Sequence, residues 1–440
     1  MSSVDGTNNS QELYPTDLAN NSHPYPHDPK YYYPDGSAVF LVEGVLFKLQ
    51  ASLIIGPRSR PPGSGLTDEQ YRYPRNVENL PKSIIDSTNN DPIQLKNVTA
   101  DQFRTFLFAV LVSRPSDPKY WELLTDAHSS RKHSRELLVR YLDIACLASQ
   151  FGMFELEDWA RQQLELVLTS KYRLSQGQWD KAVLLRLRSY AGTTCPARNL
   201  MWSSKIFVEH FISVSAEVPD KEQLSSLDTI IQLYQDPSLP TSDPAVFGCV
   251  FAFMLSLDPR SAPSTSALSR AEKAILRTAQ VELLPISETL ESVRWLVLPV
   301  NKLPFYDKLC SRCQLQLQAL WAESIGQCNG LKSRSLGKDI AFLCRLPQYR
   351  RYLVDQWDRT QCLKVDSSLT QPKEPEAGSS ASFFRMFGFS QPQPQPEKLE
   401  QLEKPTQVKC IQQPISEIDK LIHAVYKELA GRYNEFAADI

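Results

Sequence analysis

Two cysteines three positions apart are the spacing used by zinc sites and by thiol–disulfide chemistry, because two thiolates one helical turn apart can share a tetrahedral metal or a disulfide. The chain offers one such pair, Cys310-Ser311-Arg312-Cys313, with Cys328 and Cys344 downstream as conceivable completing ligands. Leu317, Leu320 and Trp321 follow at helical spacing, however, so Cys310 and Cys313 read equally as small members of an apolar helix face. No second C-x-x-C and no paired histidines accompany them, and the expectation is buried thiols, with zinc as the alternative. His23 and His27 sit in a Pro-rich N-terminal stretch, and none of the six histidines falls in an H-E-x-x-H pattern.

Other chemistries leave less trace. There is no G-x-S-x-G elbow for a nucleophilic serine and no Walker A or G-x-G-x-x-G phosphate loop. The stretch GPRSRPPGSG at 56–65 has the glycines but neither the Lys-Ser/Thr ending nor a strand-to-helix setting. Arg58, Arg60, Arg72 and Arg75 alternate with Tyr71, Tyr73 and acidic residues, and a net charge of −2 gives no general pull toward nucleic acid. The sequence therefore predicts no catalysis, no cofactor and no direct nucleic-acid contact.

Length and composition bound the scaffold. At 440 residues, 42% hydrophobic and 22% charged, the chain has room for two or three domains with full cores. Nine scattered cysteines and no apolar leader predict a reducing compartment, cytoplasmic or nuclear, and not a secreted protein. No apolar run approaches 18 residues, so no membrane span is expected; Gly248–Leu257 is the most apolar window and reads as a buried helix.

Residues 1–30, rich in Asn, Ser, Asp and Pro, read as a disordered tail. Ala38–Val42 and Val45–Leu49 are apolar runs separated by Glu43-Gly44, the pattern of a two-residue β-hairpin. A loop-rich insert at 56–90 precedes the short alternating strand Ile93–Leu95. Thr99 and Gln102 make a capping box that opens a helix from Ala100 to Val112, with Phe103, Phe106 and Leu107 on one face. Leu137–Gln150 and Leu156–Leu168 are helices meeting at Gly152. Helical blocks broken by Pro fill the stretch from Ser175 to about Trp357, among them Ser287–Leu298, Phe305–Ile325 and Ser335–Arg359. A Pro/Gln linker holds SFFRMFGFS, where Phe383, Phe384, Met386, Phe387 and Phe389 could form a docking segment. Ile415, Ile418, Ile422, Val425 and Leu429 then mark an amphipathic helix after Pro414, expected to pack back on the helical region.

The hairpin, the Asp91–Leu111 segment (DPIQLKNVTADQFRTFLFAVL) and Leu138–Leu168 together resemble a BTB/POZ domain, in the form found in fungal proteins. The resemblance covers Tyr31–Ser170 and departs from the family at Gln50-Ala51, where a His-Lys pair is usual, and at Gly56–Gly65, which replaces a helix. It implies an α+β fold: a BTB/POZ-like domain over 31–170, a short β-sheet flanked by helices, containing the insert at 56–90. An all-α domain over 171–359, a disordered linker over 360–410 and the C-terminal helix over 411–440 complete the expected order. Val39, Leu41, Phe47, Leu95, Phe103, Phe106, Leu107, Leu142 and Trp159 are its expected core. The function it implies is protein–protein recruitment, including self-association as a homodimer. Two alternatives stay open: a substrate adaptor bound to a cullin, and a transcriptional or chromatin regulator acting through protein contacts.

Overall fold

The computed structural model describes residues 24–54, 87–111, 117–193, 198–215, 224–257, 267–283, 286–325, 336–357 and 409–439. The chain is mixed α/β and divides into two compact units. A sheet unit comprises Met1–Val112 with Leu147–Met153, and a helical unit comprises Ser113–Cys146 with Phe154–Ile440. The boundary expected near Ser170 therefore falls elsewhere. Residues 113–146 belong with the helices, to which His133 is tied through Ser170 at 2.8 Å and Asp143 through an ion pair with Arg186 at 2.5 Å.

In the sheet unit, β1 (His27–Tyr32), β2 (Ala38–Val42), β3 (Val45–Leu49) and β4 (Ile93–Leu95) form one sheet in the order β1-β3-β2-β4. β2 and β3 are antiparallel, whereas β1 runs parallel to β3 and β4 parallel to β2. The hairpin turn places Glu43 at φ 49° and Gly44 at φ 77°, the paired positive values of a type I′ turn. β1 corrects the expectation of a disordered tail to residue 30. Asp28 is 2% exposed, and its carboxylate accepts from the Lys30 and Tyr31 amides and from Arg104, so the tail's last residues have a polar anchor that composition does not reveal. Residues 1–23, nearly all of the insert (55–86) and the linker with its aromatic segment (358–408) lie outside the described residues.

A short turn, α1 (Ala51–Ile54), follows β3, and α2 (Ala100–Leu111) packs its Phe103, Phe106 and Leu107 inward. The capping box forms as the sequence indicates: Gln102 N–H donates to Thr99 Oγ1 at 3.2 Å, and Thr99 N–H to Gln102 Oε1 at 3.0 Å. Glu43 adds a second cap, accepting from the Ala100 amide at 3.0 Å, where a negative charge suits a helix N-terminus. Phe40, Phe47, Phe103, Phe106 and Phe151 form one ring cluster, with centroids 4.9 Å apart for Phe47–Phe103 and 5.3 Å for Phe106–Phe151. Val39, Leu41 and Leu46, with Tyr32, form a separate apolar cluster of the same unit.

The helical unit begins with α3 (Pro118–Thr125) and includes most of α4 (Arg135–Gln150). Gly152, at φ 70°, stops α4 with the two paired bonds of a Schellman motif, Gly152 N–H to Ser149 O and Met153 N–H to Ala148 O. Next come α5 (Phe154–Val167), α6 (Lys171–Leu174), α7 (Lys181–Thr193), α8 (Arg198–Val214) and α9 (Leu224–Tyr234). After α10 (Leu239–Ser242), Asp243 caps α11 (Pro244–Ser256), in which every residue from Ala245 to Leu255 is buried. α12 (Arg270–Glu282), α13 (Ile286–Thr289), α14 (Arg294–Val297), α15 (Ser311–Glu323), α16 (Leu336–Cys344), α17 (Leu346–Gln356) and α18 (Lys409–Ala438) complete the unit.

Three expected helices are broken. Ser287–Leu298 is interrupted at Leu290 because the Glu428 carboxylate of α18 takes the amides of Glu291 and Ser292, drawing them out of the helical ladder. Phe305–Ile325 breaks at Leu309 and Cys310, both extended, before α15 starts. Ser335–Arg359 divides at Arg345, where Pro347 starts a new helix. Pro414 lies inside α18 rather than ahead of it.

α18 is part of the core. It lies against α11 so closely that a Cβ added at Gly248 would come within 1.8 Å of the Tyr426 carbonyl oxygen. Only glycine permits that backbone approach. Tyr433 adds edge-on contacts to Phe247 at 4.6 Å and Phe251 at 5.3 Å.

Candidate functional site

The residues expected to form the core of the recruitment domain separate between the two units. Val39, Leu41, Phe47, Leu95, Phe103, Phe106 and Leu107 are buried in the sheet unit. Leu142 is fully buried and Trp159 half-buried in the helical unit, where the Trp159 ring meets Tyr141 edge-on at 5.8 Å. Phe40 and Phe151 join the ring cluster that sequence assigned to α2 and β3. Their signal is the uninterrupted apolar run of β2, which holds Phe40, and the aromatic residue next to Gly152.

Cys310 sits at the N-cap position of α15, and Cys313 is fully buried with Leu317, Leu320 and Trp321 on the inner face of that helix. Among the described residues no three His, Cys, Asp or Glu side chains converge as a metal-holding group; Cys328 lies outside them. The segment Phe383–Phe389 is likewise outside the described residues.

The densest polar constellation is one that periodicity did not single out. Asp419 of α18 receives Arg350 through two bonds, Nε to Oδ1 at 2.5 Å and Nη2 to Oδ2 at 3.0 Å, and receives Trp202 Nε1 at 3.0 Å. Arg350 also donates to the Tyr172 hydroxyl. Burial opposes the Arg350 charge, but Asp419 outweighs it and raises its pKa above the ordinary guanidinium value. One turn along, His423 Nε2 lies 3.0 Å from Glu209 Oε2, and the His423 ring meets Trp202 edge-on at 4.7 Å. These groups come from α6, α8, α17 and α18. The clue in the sequence was Asp419 and His423, four residues apart inside the Ile415–Leu429 apolar stripe.

Ser175 and His210 also pair, with Oγ 2.6 Å from Nδ1. A serine activated by a histidine is a route to acyl transfer, but this geometry does not serve it. The Ser175 hydroxyl is placed to donate to the Tyr172 carbonyl at 3.0 Å, which leaves its oxygen to accept from Nδ1–H, the reverse of a general base. Both residues are fully buried, and burial with the nearby Arg351 and Arg350 charges pushes His210 down to about 3. The pair works as a core hydrogen bond.

No helix among the described residues is long and apolar enough to cross a membrane. Comparison with protein-family models, curated proteins and solved structures finds no match for this chain.

Proposed function

We propose that the chain is a non-enzymatic interaction protein whose sheet unit acts as a BTB/POZ-like recruitment module. The observation that carries this reading is the sheet order β3-β2-β4: an antiparallel hairpin extended by a parallel third strand, with a capped helix directly after that strand. This is the order in which the resembling segments Asp35–Ile54 and Asp91–Leu111 occur along the chain. The buried pairs Arg350–Asp419 and Ser175–His210 support a scaffolding role for the helical unit, since those groups are engaged with one another inside its core.

Lysine-directed cross-linking of the full chain in its native cell, followed by mass spectrometry, tests the proposal. Links to other proteins are expected from Lys30, Lys48 and Lys96 of the sheet unit. Partner links confined to lysines of the helical unit would overturn it. A cullin among the partners linked through the sheet unit would select the ubiquitin-ligase adaptor form of the same reading.

A further inference from the structure

We propose that the surface of the helical unit under α18 is a helix-binding groove that also takes the α18 of a second copy of this chain, so that two copies exchange C-terminal helices. The side of the groove that α18 meets is built from residues ahead of the 358–408 stretch. Asp419 meets Arg350 and Trp202, His423 meets Glu209, and the Tyr426 hydroxyl donates to the Leu343 carbonyl at 2.9 Å. Farther along, Glu428 accepts from the Glu291 and Ser292 amides, and Arg432 donates to the Thr289 carbonyl at 3.1 Å. These contacts begin at Asp419, well inside a helix that starts at Lys409. They fix where the helix lies and not which copy of the chain supplies it.

The connection sets α18 apart from the other helices. Roughly 50 residues separate α17 from α18, where packed helices are ordinarily joined by about 2–8. That length of chain spans on the order of 150 Å when extended, against about 45 Å for the helix itself. A tether's hold on its own helix weakens as the tether lengthens, because the effective concentration at the groove falls. The exchanged interface repeats the internal one contact for contact, and reciprocal exchange closes a symmetric dimer. The groove is also selective. A helix with no carboxylate opposite Arg350 would strand a guanidinium that is only 9% exposed. The backbone at Tyr426 fits against Gly248, where a Cβ would meet it at 1.8 Å. A second copy of α18 brings both features. This self-association belongs to the helical unit and does not rest on the recruitment proposed for the sheet unit.

Charge reversal across the groove tests the exchange. Arg350→Glu in one full chain and Asp419→Arg in another each set like charges face to face, and each alone is expected to unfold at lower urea than the unaltered protein. Co-expressed, the two recover by trading helices, which returns Asp419 to Arg350 in one groove and places the reversed pair in the other. They are expected to purify together as a dimer whose urea midpoint lies above that of either variant alone. Arg350→Glu/Asp419→Arg in a single chain measures the reversed pair without exchange. A second measurement uses the unaltered protein, in which Lys427 of α18 stands near Lys205 of α8. Isotopically heavy and light chains are refolded together at high concentration and cross-linked. About half of the Lys205–Lys427 links in the dimer fraction should join a heavy chain to a light one, the share given by random pairing of two copies. Links confined to a single isotope, or co-expressed variants that stay apart and no more stable than each alone, would overturn the proposal.

Discussion

Phe103 in the sheet unit and Asp419 in the helical unit are each the hub of a core, yet they hold it in opposite ways. Phe103 meets Phe40, Phe47, Phe106 and Phe151, with no polar atom in the cluster. Asp419 gathers a guanidinium and an indole N–H inside the helical bundle. Dispersion and area burial are tolerant of shape, so an aromatic cluster can be rebuilt from many apolar side chains. A buried ion pair is not tolerant, because removing one partner strands the other's charge. The sheet unit is thus specified by pattern and the helical unit by particular partners.

The largest expected effects probe that contrast directly. Asp419→Leu leaves Arg350 buried and unpaired, with an expected loss of about 3–5 kcal/mol in urea unfolding. The double variant Arg350→Met/Asp419→Leu should recover most of it, since a packed apolar pair can replace a buried ion pair. A double variant as unstable as the single would show that the Trp202 and Tyr172 bonds, not the charges, hold the bundle. Phe103→Ala should cost about 3–5 kcal/mol through the cavity it opens, while Phe103→Leu should cost clearly less. Equal losses for the two would mean that ring geometry matters in the sheet unit as partner identity does in the helical one.

A smaller effect follows from Asp143, whose burial raises its pKa from 3.8 to about 6 despite the opposing pull of Arg186. The folded state then holds its proton where the unfolded state has released it. This group's contribution therefore favours folding below about pH 4 and is lost as pH rises to about 6, on the order of 2–3 kcal/mol across the window. The stability of the unaltered chain minus that of Asp143→Asn, plotted against pH, should fall between those limits. A flat difference would place Asp143 in a wetter setting than its ion pair with Arg186 suggests.

The same contrast explains what could be read from residues alone. The type I′ turn at Glu43-Gly44, the Thr99–Gln102 box, the stop at Gly152 and the inward face of α2 are local, each carried by residues within a few positions. Asp28 was missed because its partner Arg104 is 76 residues away. The break at Leu290 was missed because its cause, Glu428, is 136 residues from Ser292. Arg350, Glu209 and Asp419 look like ordinary solvated charges in sequence, and only their meeting makes them a core. Local chemistry is legible from spacing; long-range pairing of charges is not.

Gly248 carries a consequence for how the protein is made. α11 is apolar on every side, and the wall it needs is α18, which follows it by roughly 150 residues of synthesis, on the order of ten to thirty seconds at ribosomal speed. α8, α9 and α10 already pack on α11 by then, but the face that meets α18 stays open through that interval. The helical unit thus completes this face of its core only when Tyr426 reaches the glycine notch.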